Sequence, residues 1–127
     1  MIRTNCLLTL SNGRHIDLLN PKASDIDFGS ISEHLAKENR YNGATPGVVY
    51  SVAEHVSRGV EAILQAGEGV DLAAYFLLHD CAEAFLKDDT TPKKKAIAAV
   101  AEGEFGVLAA TITAAFDRLT DRFDAAI

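Results

Sequence analysis

Leu77-Leu78-His79-Asp80-Cys81-Ala82-Glu83-Ala84-Phe85-Leu86-Lys87-Asp88 is an apolar run that turns, within ten residues, into a histidine and three carboxylates. Helical neighbours sit about 100° apart, and residues three or four apart share a face. On one helix, His79 and Asp80 are adjacent around the axis and Glu83 lies one turn beyond both. An imidazole and two carboxylates then point to one side while apolar residues hold the others in the core. Such a set suits a divalent cation together with a proton-transferring acid. Ala73, Ala74, Phe76, Leu77 and Leu78, just upstream, are apolar nearly all round, which predicts a central, buried helix capped by Asp71. Asp80 and Glu83 on a buried helix are costly unless paired, hydrogen-bonded or bound to metal.

Working outward toward the C-terminus, Asp88-Asp89-Thr90-Thr91-Pro92 predicts a turn and a helix start, with Thr91 as N-cap and Pro92 at the first helical position. Lys93-Lys94-Lys95 follow. Cations in a first turn oppose the helix dipole, so the run reads either as a solvated face or as a positive rim that attracts a phosphate. Ile97, Val100, Phe105, Leu108, Ile112, Ala115, Phe116 and Leu119 continue a helical period. Gly103 and Gly106 predict a break between a short fourth helix and a longer fifth. Ala125-Ala126-Ile127 carries no C-cap signal, so a chain truncated within a helical region is expected.

Toward the N-terminus, Gly67-Glu68-Gly69 separates the central stretch from a second helix. Ser51 followed by Glu54 is a capping box, and the helix is predicted to run from Ser51 to about Gln65 with Val52, Val56, Ile63 and Leu64 on its buried side. His55 shares that side, either as a core histidine or, if it faces His79, as a ligand. Gly43, Pro46 and Gly47 mark a loop. A first helix is predicted from Phe28 to Asn39, with Ile31 and Leu35 as its apolar stripe and His34 beside them as a half-buried packing residue. Leu7-Leu8-Thr9-Leu10 and Ile16-Asp17-Leu18-Leu19 flank Ser11-Asn12-Gly13-Arg14; Asn-Gly between apolar runs predicts a two-stranded hairpin. His15 reads as an exposed strand residue.

The chain has 127 residues, which suits one domain over 1–127: a hairpin extension over 1–20 and a helical core over 28–127. Its hydrophobic fraction of 48% and charged fraction of 24% are those of an ordinary globular protein. A net charge of −6 argues against binding to nucleic-acid polymers or anionic membranes. Cys6 and Cys81, far apart and without metal-finger spacing, read as reduced thiols in a cytoplasmic protein. Met1-Ile2-Arg3-Thr4-Asn5-Cys6 lacks the apolar core of a signal peptide, and the longest apolar runs fall short of a membrane span. A homodimer is compatible with the small size and the Ala-rich helices. The absence of a glycine-rich phosphate loop argues against a P-loop nucleoside triphosphatase.

Taken together, Tyr50-Ser51-Val52-Ala53-Glu54-His55, a spacer helix, Leu78-His79-Asp80-Cys81-Ala82-Glu83, Asp88 and Thr91-Pro92-Lys93 resemble the HD-domain metal-dependent phosphohydrolases. The resemblance is nearest to the branch containing bacterial 5'-deoxynucleotidases, which Arg40-Tyr41-Asn42-Gly43 also resembles. It covers about Ile31 to Lys95. It implies an all-α fold, an HD-domain bundle of about five helices, with the N-terminal hairpin outside the shared core. It implies metal ligands at His55, His79 and Asp80, an acid beside the metal-bound water at Glu83, and a second acid near the leaving group at Asp88. Arg40 would help hold the substrate phosphate, His34 would line the same cavity, and Lys93 falls within the matching motif. The family supplies a fourth ligand, an aspartate on a later helix; Asp117, Asp121 and Asp124 all fall earlier than that position, so a water, a neighbouring subunit or one of these three would complete the shell.

Two imidazoles and a carboxylate suit Mn, Co, Fe, Ni or Zn better than an all-oxygen site would, with Mg also in the range of divalent ions considered. The expected activity is release of phosphate from a nucleoside 5'-monophosphate-like ester by attack of a metal-bound water. The alternative is a non-catalytic HD-like module that binds a nucleotide or partner through an incomplete metal site. A third account is a small helical interaction protein whose polar core residues pair with one another.

Overall fold

The computed structural model describes residues 6–127; the signal-peptide reading of Met1–Asn5 lies outside them. The chain is a helical bundle with an N-terminal hairpin. Strands β1 (Leu7–Thr9) and β2 (His15–Asp17) are followed by α1 (Phe28–Lys37), α2 (Val52–Gln65), α3 (Val70–Leu78), the single turn α4 (Glu83–Leu86), α5 (Thr91–Phe105) and α6 (Ala109–Ala126). No helix among the described residues is long and apolar enough to cross a membrane.

The hairpin forms where Asn12-Gly13 predicts it. Leu8 pairs with Ile16 and Thr9 with His15. Gly13 N–H donates to Leu10 O at 2.9 Å and Leu10 N–H to Arg14 O at 2.8 Å, with Gly13 at φ 81°, a backbone angle that glycine adopts without a Cβ clash. Ile16 points inward and is almost fully buried, which lets so small a ribbon persist by packing on the bundle. His15 is exposed and meets Thr9 Oγ1 at 3.0 Å, as its strand position implies.

Helix α1 starts at Asp27, whose carboxylate accepts from Ser30 N–H at 3.0 Å and Ser30 Oγ–H at 2.7 Å. Helix α2 starts at Ser51, whose Oγ accepts from Glu54 N–H at 3.1 Å. Ile31, Leu35, Val52 and Val56 are buried as their spacing demands, whereas Leu64 is 48% exposed. The core joins these side chains to Leu10 and Ile16 of the hairpin, to Cys81, Ala82 and Phe85, and to Phe123 near the end of α6; the Phe85 and Phe123 rings stack at 5.0 Å.

Three sequence expectations are corrected. The stretch carrying His79 to Asp88 is not one continuous helix: α3 ends at Leu78. Phe76 O is taken by His79 itself, both by the ring Nδ1–H and by the backbone N–H at 3.4 Å, leaving it no simple role in the next helical bond. The chain stays right-handed but tightens, with Cys81 N–H donating to Leu78 O at 3.0 Å and Glu83 N–H to Asp80 O at 3.0 Å. Nor is α3 a buried helix. It starts after Gly69 rather than at Asp71, buries only Ala73, and exposes Val70 at 74% and Tyr75 at 73%. It is the turn after α3, with Cys81 and Ala82 buried, that takes the acids inward. Helix α5 has Thr90 at its N-cap position, one residue before the expected Thr91 and without a side-chain capping bond, and runs through Gly103 to stop at Gly106, which adopts φ 67°.

Candidate metal centre and adjoining cavity

Helices α2 and α3 approach closely because α2 carries Gly59. A Cβ at that position would lie 1.9 Å from Phe76 Cε1. The Phe76 ring fills this slot with its centroid 5.3 Å from the His55 ring and 4.5 Å from the His79 ring. His55, four residues before Gly59 on α2, thereby faces the end of α3.

His55, His79 and Asp80 each offer a ligand atom within 4.8 Å of the others. Asp80 Oδ2 lies 3.1 Å from His79 Nε2 and 3.6 Å from His55 Nε2. The trio expected from the sequence therefore converges, and its donors can hold a metal ion. For His79 the supporting bond is already of the right kind: Nδ1–H donates to Phe76 O, which leaves Nε2 as the free lone pair. Burial, followed by the charge of Arg40, lowers the His55 pKa, so its ring is neutral, as a ligand must be. Arg40 Nη1–H donates to His55 Nδ1 at 2.8 Å. A guanidinium only donates. An ion at His55 Nε2 would move the ring proton to Nδ1 and set two donors face to face, so the trio fits a metal provided that Arg40 swings away.

Arg40 enters the site from a loop closed at its base. Asn39 bridges Ser51, Arg40 N–H donates to Tyr50 O at 2.8 Å and Val52 N–H to Glu38 O at 2.9 Å. Tyr41 and Asn42, at φ 56° and 54°, hold left-handed angles unusual for residues with a Cβ. The Arg40 guanidinium stacks over Tyr41 at 5.0 Å and Tyr50 at 5.8 Å.

Beside the trio lies a cavity of about 500 Å³, a volume ordinary for small-molecule sites. It is lined by His79, Asp80, Glu83 and Asp88, by Arg40 and Tyr41, and by Thr91, Lys94, Phe116 and Leu119 of α5 and α6. Burial, then Asp80 and Asp88, pushes the Glu83 carboxyl up to about 8. Asp88 is raised by burial and by Asp80 and held back by Arg40. Crowded carboxyls that resist ionisation are relieved by a nearby cation.

Arg40, Glu83 and Asp88 all line the cavity beside the trio. Two other expected site residues do not. His34 does not line the cavity: Nε2 accepts from Ser11 N–H at 3.1 Å and Nδ1–H donates to Ala84 O at 2.9 Å, so its ring ties the hairpin turn to α4. Lys93 is not among the lining residues and pairs with Asp89, while Lys94, one residue on and half-buried, lines the cavity. The 100° step between helix neighbours decides which lysine faces inward. Of the late aspartates, Asp124 has its pKa raised by burial, by Asp121 and by Asp80, so its carboxyl stands within the field of the trio although outside the 4.8 Å group. Sequence reasoning missed Glu38, whose carboxylate meets both Lys87 and Asp88; its position at the end of α1 carries no motif.

No family model matches the chain. Over 91 residues, 68% of its length, it is 44% identical to an uncharacterized protein of Rhodobacter capsulatus, of which the match covers 45%. The chain thus spans less than half the length of that relative, whose description names no activity.

Proposed function

We propose that the chain is a metal-dependent phosphohydrolase that releases phosphate from a nucleotide-like phosphomonoester. The observation that carries this reading is the convergence of His55, His79 and Asp80 on one point beside a cavity lined by Glu83, Asp88 and Arg40. A divalent ion held by the trio would supply Lewis acidity toward a phosphoryl oxygen and toward water. The remaining chemistry belongs to the chain. Arg40, released from His55, and Lys94 in the cavity lining bind the phosphate oxygens. Glu83 orients the attacking water and takes its proton as the new P–O bond forms; positive charge beside Asp80 brings its carboxyl down from about 8 into the range where it can do so near neutrality. Asp88, whose burial favours the protonated form, gives a proton to the departing alkoxide oxygen as the ester P–O bond breaks. The products are inorganic phosphate and an alcohol, a nucleoside where the substrate is a nucleotide. Cys6 and Cys81 are free thiols, which suits a cytoplasmic setting.

This reading agrees with the resemblance to HD-domain phosphohydrolases carried by His55, His79-Asp80, Glu83 and Asp88. Metal analysis of the purified chain, then a phosphate-release screen over nucleoside monophosphates with Mn, Co, Ni, Zn, Fe and Mg, tests it. Turnover lost together with bound metal in His79→Ala is expected; full turnover in that variant rejects the proposal. A second reading, a nucleotide-binding module without turnover, is favoured by one observation, the position of Asp124 outside the ligand group. Nucleotide binding without phosphate release under every metal would select it.

A further inference from the structure

The link between the two acids of the cavity is held in an unfavourable conformation. Lys87, at the end of α4, adopts φ 70° and ψ 162°, a region populated almost only by glycine. Its conformation turns the chain so that Asp88 faces the cavity. Strain of this kind persists only where neighbours over-determine the backbone. Glu38 supplies that determination. One carboxylate oxygen accepts from Asp88 N–H at 3.1 Å and the other pairs with Lys87 Nζ at 3.1 Å. The Glu38 side chain is only 14% exposed, and its own backbone carbonyl accepts from Val52 N–H at 2.9 Å, at the first turn of the helix that carries His55. Glu38, fifty positions from Asp88 in sequence, therefore ties the acid-bearing turn to the base of the helix that carries His55.

We infer that Glu38 is a positioning residue: its carboxylate clamps the strained Lys87–Asp88 link and aims the Asp88 carboxyl at the leaving-group side of the cavity. The inference rests on the phosphohydrolase reading for its kinetic consequence, while the clamp itself stands on the geometry alone. The Lys87 side chain is itself 78% exposed, so the clamp rests chiefly on the largely buried Glu38 carboxylate holding the Asp88 N–H, with Lys87 Nζ on its second oxygen. The clamp acts on one step, protonation of the leaving oxygen. Its loss therefore matters most where that oxygen is a poor leaving group.

Two variants separate the clamp from general packing. Glu38→Met keeps the bulk and removes both acceptors; Glu38→Gln keeps an acceptor for Asp88 N–H. The kinetic readout is kcat on a nucleoside 5'-monophosphate, whose alkoxide needs a proton, against p-nitrophenyl phosphate, whose leaving group does not. General acids contribute on the order of 10²–10⁴-fold, so Glu38→Met is expected to lower kcat on the nucleotide at least about tenfold more than on the aryl ester, and Glu38→Gln to restore most of the difference. Equal losses on both substrates, or none, would overturn the inference. Amide exchange supplies an arm independent of catalysis: Asp88 N–H is expected to be protected in the unsubstituted chain and to exchange faster in Glu38→Met, with α2 unchanged. An unprotected Asp88 amide in the unsubstituted chain overturns the clamp by itself. If the chain releases no phosphate from any ester, the functional reading fails while the exchange result still decides whether Glu38 holds the turn.

Discussion

Residues 79–88 and residues 91–120 both line one cavity, yet they are supported in different ways. Behind His79 to Asp88, the side chains of Cys81, Ala82 and Phe85 are buried in the core, and Glu38 and His34 bond to the backbone of the same segment. Helix α5, by contrast, buries only Ala98, and it leaves Ile97 41% and Val100 48% exposed. Groups that hold a metal or pass a proton need placement to a fraction of an ångström, and His79, Asp80, Glu83 and Asp88, proposed above for those roles, sit on the segment that the core immobilises. The residues from α5 and α6 add an apolar surface and a lysine, which under the same proposal bind through area and charge and tolerate looser placement.

The contrast can be broken most sharply at the site itself. Asp80→Ala is expected to abolish metal binding and to lower phosphate release by about 10³-fold or more, whereas Lys94→Ala mainly raises KM. Titration calorimetry with Mn or Co and steady-state kinetics read both; comparable losses of kcat in the two variants would show that the two regions are not distinct. Stability comes next. Phe85→Ala removes a ring stacked on Phe123 and is expected to cost about 3–5 kcal/mol, while Ile97→Ala stays within about 0.5 kcal/mol. Urea denaturation with a shared slope decides between them.

The α2–α3 contact tests how far the firm support extends. Gly59→Ala forces the Phe76 ring out of its slot, and overpacking of this kind costs about 1–3 kcal/mol. Because that ring lies against both His55 and His79, metal affinity should fall as well. Unchanged affinity would mean that the histidines are placed independently of the slot.

The smallest expected effect is one of pH. Glu83 titrates near 8 in the folded chain, above its ordinary 4.5, so the folded state holds a proton that the unfolded state has lost. Stability then falls as pH rises through that window. The lowered pKa of His55 adds an opposite slope below its ordinary 6.5. Between about pH 6.5 and 8.5 the carboxyl therefore acts with little opposition, and the metal-free chain should lose a few degrees of Tm. Glu83→Gln should flatten this slope; an unchanged slope in thermal scans would assign it to other groups.

Much of the fold was legible because its signals are local. Asn12-Gly13 sets a turn through backbone angles, and Ser51 caps α2 through a bond three residues long. The spacing of Ile31 and Leu35 names a buried stripe without reference to any partner. His79 and Asp80 were legible as neighbours in a motif, whereas His55 joined them only through the resemblance to HD-domain phosphohydrolases; the α2–α3 contact brings the three together.

Other features depend on which surfaces meet. Composition alone makes α3 a core helix, but α3 packs mainly on α2, and its remaining apolar side chains stay exposed. Whether Lys93 or Lys94 turns inward depends on the rotation of α5 against α6, which no residue of the lysine run encodes by itself. The placement of Glu38 against Lys87 and Asp88 joins residues that share no periodicity or motif. The sequence by itself determined the hairpin turn, the Ser51 cap of α2 and the buried stripe of α1, because these follow from hydrogen bonds and side-chain periods spanning a few residues. Only the tertiary structure decided which lysine lines the cavity and the clamp on Asp88, because each depends on a contact between segments whose relative rotation is set by packing.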